Sequence, residues 1–215
     1  MVGAVREGTG RPPRRIAIVS CGGAGKSRLA GELGRRLGLP VLHLDLHYWR
    51  PGWVETPRAE WEALQPSLLA GDAWIADGNY HATLPLRLER ADAVVFLDMP
   101  RLACLRGVLL RRLRHRGTHR ADLPPGCPEK FDLEFLRWIW RFPRDVRPAT
   151  LAMLREFEAR GGLVVVLRSR REVETFLADL DRFHDRSATP PSVPEGHGKP
   201  GSPASKARWG PGDSP

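Results

Sequence analysis

Few short stretches leave a chain as little conformational freedom as Ile16 to Ser27, IAIVSCGGAGKS. Ile16 to Val19 are continuously apolar or small, the pattern of a short strand buried on both faces. A glycine-rich turn follows at once, Gly22, Gly23, Ala24 and Gly25, and Lys26-Ser27 opens a helical pattern. Leu29, Leu33 and Leu37 then recur every four residues until Gly38 and Pro40 stop the helix. Strand, glycine loop and helix in that order predict a phosphate-binding loop. Its backbone N–H groups and the helix N-terminus cradle a triphosphate, Lys26 reaches the β- and γ-phosphates, and the Ser27 hydroxyl ligates Mg²⁺. The expected nucleotide-binding set is Gly22, Gly23, Ala24, Gly25, Lys26, Ser27 and Leu29, with Ser20 standing where the strict pattern has glycine. Lys26 is expected to be exposed, with no packing role.

The 215 residues suffice for one domain with a full core. No apolar run reaches the roughly 18 residues that span a bilayer. The N-terminal MVGAVREGTGRPPRR is basic but lacks the apolar stretch of a secretory leader. Cys21, Cys104 and Cys127 form no CxxC, which fits a reduced, cytoplasmic protein. The net charge is +9, and only four of the 34 basic residues are lysines. That balance suits phosphorylated small molecules, or nucleic acid held non-specifically, although a GC-rich genome also favours arginine. No nucleic-acid-binding module is legible.

Along the chain, residues 1–13 read as a flexible lead, 14–183 as the folded domain and 184–215 as a disordered Pro/Gly/Ser-rich tail. A second strand, Val41 to Asp45, places the Asp45 carboxylate at a strand tip, where open α/β sheets bind ligands. Tyr48, Trp49 and Trp53 follow, and Thr56 is the expected cap of the next helix. A third strand, Ala73 to Ala76, ends in Asp77-Gly78-Asn79-Tyr80, a fourth, Ala93 to Leu97, ends in Asp98, and Leu163 to Leu167 is a fifth. Strands alternating with helices predict an α/β fold, a parallel sheet with helices on both faces. Between strands four and five, seven arginines and no acid lie from Arg101 to Arg120. Leu102, Leu105, Leu109 and Leu113 should hold that helix in the core. A loop from Gly117 to Pro128 and a helix from Phe131 to Phe142, ended or kinked by Pro143 and carrying Arg137 and Arg141, complete a lid centred on about 115–131. Mutual repulsion of the arginines should keep that loop open and mobile until a polyanion binds.

The segments SCGGAGKS, HLDLHYWRPGW, WIADGNY, VVFLDMPR and GCPEKFDLEFLRWIW together resemble the P-loop kinases related to adenylate kinase. More narrowly they resemble small bacterial proteins described as DNA topology modulation kinases. The resemblance covers about residues 14–183. It implies a five-stranded sheet of order 2-3-1-4-5, ATP as phosphoryl donor and an arginine-bearing lid over the phosphates. In adenylate kinase the third strand is followed by Asp-Gly-Phe-Pro-Arg, whose arginine holds the acceptor nucleotide. Here the run is Asp77-Gly78-Asn79-Tyr80-His81, without that arginine.

Phosphoryl transfer requires neutralised charge on the moving group and an oriented nucleophile. Asp77 is the expected Mg²⁺ ligand, through water, beside Ser27, and Asp45 is expected to orient or deprotonate an acceptor hydroxyl. Tyr48, Trp49 and Trp53 either stack on the acceptor or close a core. Arg58 and Arg87 either hold an acceptor anion or lie on the surface. Arg111, Arg114, Arg116, Arg137 and Arg141 can neutralise the γ-phosphate, so the expected catalytic set is Lys26, Asp45, Arg137 and Arg141. His115, His119, Asp122 and Cys127 are zinc-ligand types in the lid, and Cys21 is a small filler within the phosphate loop. The expected activity is transfer from ATP to a small acceptor. The rivals are a kinase of hydroxyl metabolites and an ATP-binding, nucleic-acid-associated regulator.

Overall fold

The computed structural model describes residues 13–114, 122–128 and 132–188. The expectations for 1–12, for 115–121 with His115, Arg116 and His119, for 129–131 and for the tail beyond 188 fall outside them. Five parallel strands form the sheet: β1 (Arg15–Ser20), β2 (Val41–His43), β5 (Trp74–Asp77), β6 (Ala93–Leu97) and β7 (Leu163–Leu167). Two more, β3 (Trp49–Arg50) and β4 (Val54–Glu55), pair antiparallel in a separate hairpin. These were not anticipated in the sequence, and with them numbered the sheet reads β2-β5-β1-β6-β7.

Because side chains alternate across a strand, β1 feeds two cores. Ala17 and Val19 join Trp74, Ala76, Leu84, Leu88 and Phe96 on one face. There they meet Ile139 and Phe142 of α6 (Leu133–Asp145) and Leu154 and Phe157 of α7 (Arg147–Ala159). Ile16 and Ile18 join Ile75, Val95, Leu97 and Leu167 on the other, under Leu29 and Leu33 of α1 (Lys26–Leu37) and Val173, Phe176 and Leu177 of α8 (Arg170–Ala188). Cα register pairs Asp77 with Ile18 on one side and His43 on the other, so β1, β5 and β2 finish side by side.

Several expected boundaries shift. β2 stops at His43, and Asp45 opens a one-turn helix, α2 (Asp45–Tyr48), instead of ending the strand. Asp77 is itself the last residue of β5. Thr56 donates its hydroxyl to the Tyr48 carbonyl (2.6 Å) and does not cap α3 (Arg58–Leu68), which starts behind Pro57. Asp132 caps α6 by accepting from the Phe135 N–H (3.0 Å), and the helix runs through Pro143 to Asp145.

The largest correction concerns α5 (Arg101–Arg114). Leu102, Leu109 and Leu113 are 66%, 54% and 61% exposed. The helix docks through Cys104, Gly107 and Val108, and of the four expected leucines Leu105 packs against the core, partly buried. A Cβ on Gly107 would lie 2.1 Å from the Gly23 carbonyl oxygen, and one on Gly23 would lie 2.2 Å from that of Cys104. This glycine-to-glycine approach sets the rotation of α5 and turns Leu102, Leu109 and Leu113 outward.

Candidate active site

The phosphate loop joins β1 to α1. Gly23 (φ 80°) and Gly25 (φ 99°) take left-handed backbone conformations that glycine adopts at little cost. Gly25 precedes α1 without any side-chain cap, and no acidic residue stands in the first turn. The opening N–H groups of this helix therefore face an anion site for which no carboxylate of α1 itself competes. A Cβ on Gly25 would meet nothing within 4 Å, so that side of the loop is open. The other side is covered, since Phe135 of α6 packs on Gly22. Ser20 is buried, donating its hydroxyl to the Cys21 carbonyl (2.8 Å) and its N–H to Asn79 Oδ1 (3.0 Å). Leu29 is 2% exposed and its side chain belongs to the core.

Asp77 lies where these elements converge. It is 3% exposed, yet both oxygens are met: Lys26 Nζ lies 2.8 Å from Oδ1 and His43 Nδ1 2.8 Å from Oδ2. Burial alone would raise its pKa. The Lys26 ammonium, together with hydrogen bonds from His43, Lys26 and Ser27, outweighs burial and holds the carboxyl well below the usual range. The same hydrogen bond raises the pKa of His43, with the charges of Asp77 and Asp122 adding to it against burial. Lys26 is therefore not the exposed loop residue expected, because its side chain is only 12% exposed and folded onto the carboxylate. His43 escaped the sequence reading. The one available signal was its place at the end of a short strand, two residues before Asp45.

Beyond His43 the site becomes aromatic. Tyr80 donates its phenol to Asp45 Oδ1 at 2.6 Å, and burial, then the Asp45 charge, push the phenol far above its ordinary pKa. The Tyr80 ring lies 4.4 Å from Tyr48 and 4.8 Å from Trp61, centre to centre. Trp49 and Trp53 continue the group edge to face at 5.3 Å. Tyr48 is pushed up to about 12 by burial and by its hydrogen bond with Glu55.

Arg87 fits neither expected role. It is fully buried and donates to the carbonyls of Gly78 (2.6 Å), Asn79 (2.8 Å) and Tyr80 (2.9 Å), so it pins the backbone that carries Asp77 into Tyr80. Desolvation lowers its pKa to about 10. Arg58 is a surface residue paired with Glu62 at 2.7 Å. Asp98, the remaining strand-end carboxylate, is held by Nε and Nη2 of Arg147, each at 2.7 Å.

The described part of the lid is docked. Gly52 N–H donates to the Gly126 carbonyl (2.9 Å), the Cys127 thiol to the Arg50 carbonyl (3.2 Å) and Trp53 Nε1 to the Pro128 carbonyl (2.9 Å). Segment 122–128 is thus tied to the β3–β4 hairpin, with Leu123 and Cys127 buried, where an open and mobile loop was expected. Among the described residues no cluster of three or more metal-ligating side chains forms. Cys21 is buried, and its hydrogen bond with Cys104, then burial, push its thiol far up, in keeping with a filler.

Arg137 and Arg141 are not brought to Lys26 and Asp77. Phe135 faces the phosphate loop, and at about 100° per residue Arg137 and Arg141 stand roughly 200° and 240° round α6 from it. Both are exposed, lining a cleft of about 300 Å³ with Glu134, Trp138, Asp145 and Val146, and Arg141 approaches Asp145 at 3.8 Å. Arg114 is exposed at the end of α5, and Arg111 is partly buried.

No protein-family model matches the chain, and no curated protein matches it. Solved structures do. A shikimate kinase from Bacteroides thetaiotaomicron aligns over 81% of this chain and 99% of its own, at 18% identity and a TM-score of 0.42. A gluconokinase from Sinorhizobium meliloti 1021 aligns over 83% and 99%, at 19% identity and 0.42. A deoxyadenosine kinase from M. mycoides aligns over 78% and 98%, at 13% identity and 0.40. These are likenesses of chain path, and no residue role is taken from them.

Proposed function

We propose that the chain is an ATP-dependent phosphotransferase acting on a small acceptor. The observation that carries this reading is the pairing of Lys26 with buried Asp77 beside an uncapped helix N-terminus that is open over Gly25. A triphosphate offers more negative charge than one carboxylate, so Lys26 exchanges Asp77 for the β- and γ-phosphates when the nucleotide binds. The freed Asp77, through water, and Ser27 are the residues that would hold Mg²⁺. That ion supplies neutralisation of the charge spread over the transferring group. Gly22 to Gly25 present backbone N–H groups to the phosphates. Asp45, fixed by Tyr80, orients the acceptor hydroxyl and takes its proton. Arg137 and Arg141 join the phosphates only if α6 turns on nucleotide binding. The narrower kinship with adenylate kinase and the DNA topology label rest on sequence resemblance alone.

Lys26→Ala should abolish most ATP turnover, and Asp77→Asn should weaken its dependence on Mg²⁺. Measuring ADP release against Mg²⁺ concentration checks both. Wild-type turnover in Lys26→Ala would sink the reading.

A further inference from the structure

We infer that the acceptor is an uncharged or cationic polyhydroxyl compound, of the sugar or amino-sugar class, held by Asp45 and the aromatic residues around Tyr80. The inference rests on the phosphotransferase reading and adds to it the charge of the acceptor.

Asp45 lies two residues beyond His43, which is both register and hydrogen-bond partner of Asp77. In the sheet order β2-β5-β1, the Asp45 end is therefore one strand further from the phosphate loop than Asp77. An acceptor placed there faces the transferring phosphate across the Asp77 strand end. An anionic acceptor needs a cation free to receive it, typically an arginine fork. Three described arginines on the elements around Asp45 are engaged: Arg87 with three carbonyls inside the protein, Arg50 with Glu60 (2.6 Å) and Arg58 with Glu62. His81 follows Tyr80, and burial, then the Arg87 charge, lower its pKa. His47, whose pKa burial also lowers, is likewise neutral near pH 7.

Among the described residues, the carboxylates of Asp45 and Glu55 stand beside the aromatic rings. Asp45 has Oδ1 occupied by Tyr80, which leaves Oδ2 for an incoming hydroxyl. Glu55 is hydrogen-bonded with Tyr48. A phosphate or carboxylate on the acceptor would be repelled by these groups as it lost its water. Hydroxyls and ammonium groups instead donate to carboxylates, while the C–H faces of a sugar ring, or a cation, pack on Trp49, Trp53 and Tyr48. In the transfer the acceptor oxygen bonds to the γ-phosphorus and the bond to the β–γ bridging oxygen breaks. The hydroxyl proton passes to Asp45 and ADP leaves.

The test uses the full chain with ATP and Mg²⁺, and matched acceptors: glucose against glucose 6-phosphate, glucosamine against glucosamine 6-phosphate, and adenosine against AMP. ADP release should be at least tenfold faster with the unphosphorylated member of a pair. Asp45→Asn should remove that release while ATP binding, followed by calorimetry, persists. Equal or faster release with glucose 6-phosphate, glucosamine 6-phosphate or AMP overturns the inference and leaves the phosphotransferase standing. Failure of the wild type to bind ATP overturns the phosphotransferase reading itself.

Discussion

Arg87 shows how much of the site depends on one side chain remote from the chemistry. Its guanidinium replaces water for three consecutive carbonyls, and no aliphatic residue can do that. Arg87→Met should cost on the order of 3 kcal/mol or more in urea unfolding, because buried acceptors are left unmet. Arg87→Lys should recover little, since an ammonium lacks the planar fork that spans residues 78 to 80. Lys26→Ala should also destabilise the nucleotide-free protein, by about 1–3 kcal/mol, as it strips a buried carboxylate of its cation. The glycine turn and the strand end at Asp77 were legible because glycine spacing and strand ends leave marks in the sequence, whereas Asp45, expected at a strand tip, opens α2. Arg87 and His43 were not, because the partners of Arg87 are backbone carbonyls and that of His43 lies on another strand. Neither kind of contact has a spacing rule.

The elements were read well where periodicity meets a sheet and poorly where helix meets helix. Five apolar runs became five parallel strands, yet Leu102, Leu109 and Leu113 of α5 face solvent and the hairpin at Trp49 to Glu55 went unseen. A 3.6-residue stripe identifies an apolar face, not what covers it, and two-residue strands carry no pattern to detect. The contact that overrode the stripe is testable. An alanine in place of a mid-helix glycine ordinarily favours a helix by about 1 kcal/mol. Gly107→Ala should instead lower stability by roughly 1–3 kcal/mol, because the new methyl meets the Gly23 backbone rather than a yielding side chain. The phosphate loop must move to admit it, so ATP affinity should fall with stability. Thermal unfolding and ATP titration of this one variant measure both, and a rise in melting temperature would show that α5 does not fix the loop.

Across the whole molecule, the end of the sheet opposite the phosphate loop is tied by Asp92. Its carboxylate accepts from the backbone N–H groups of Arg14 and Arg15 and from the Arg15 guanidinium at 2.7 Å. Burial, the largest single influence, would raise its pKa, but these donors together lower it. A carboxylate depressed on folding stabilises above its unfolded pKa of about 3.9, and that contribution is lost as pH falls through the lower folded value. The urea midpoint of the wild type should therefore fall more steeply below about pH 4 than that of Asp92→Asn. The net charge of +9 predicts a different behaviour toward nucleic acid: weak association that falls steeply with salt and ignores sequence. Tight, sequence-selective binding to a duplex at physiological salt would favour the regulator instead.

Three hydrogen bonds join segment 122–128 to the hairpin bearing Trp49 and Trp53, and Asp122 at one end of that segment acts on the His43–Asp77 pair. Under the proposed function, a displacement that begins at the nucleotide would be delivered through these bonds to the acceptor, and the reverse would hold equally. In thermodynamic terms the two ligands are linked, and linkage is reciprocal: the factor by which an ATP analogue tightens acceptor binding must equal the factor by which acceptor tightens the analogue. Trp53→Phe removes one of the three connections while keeping an aromatic ring. It should draw that common factor toward unity, with ATP affinity in the absence of acceptor largely unchanged.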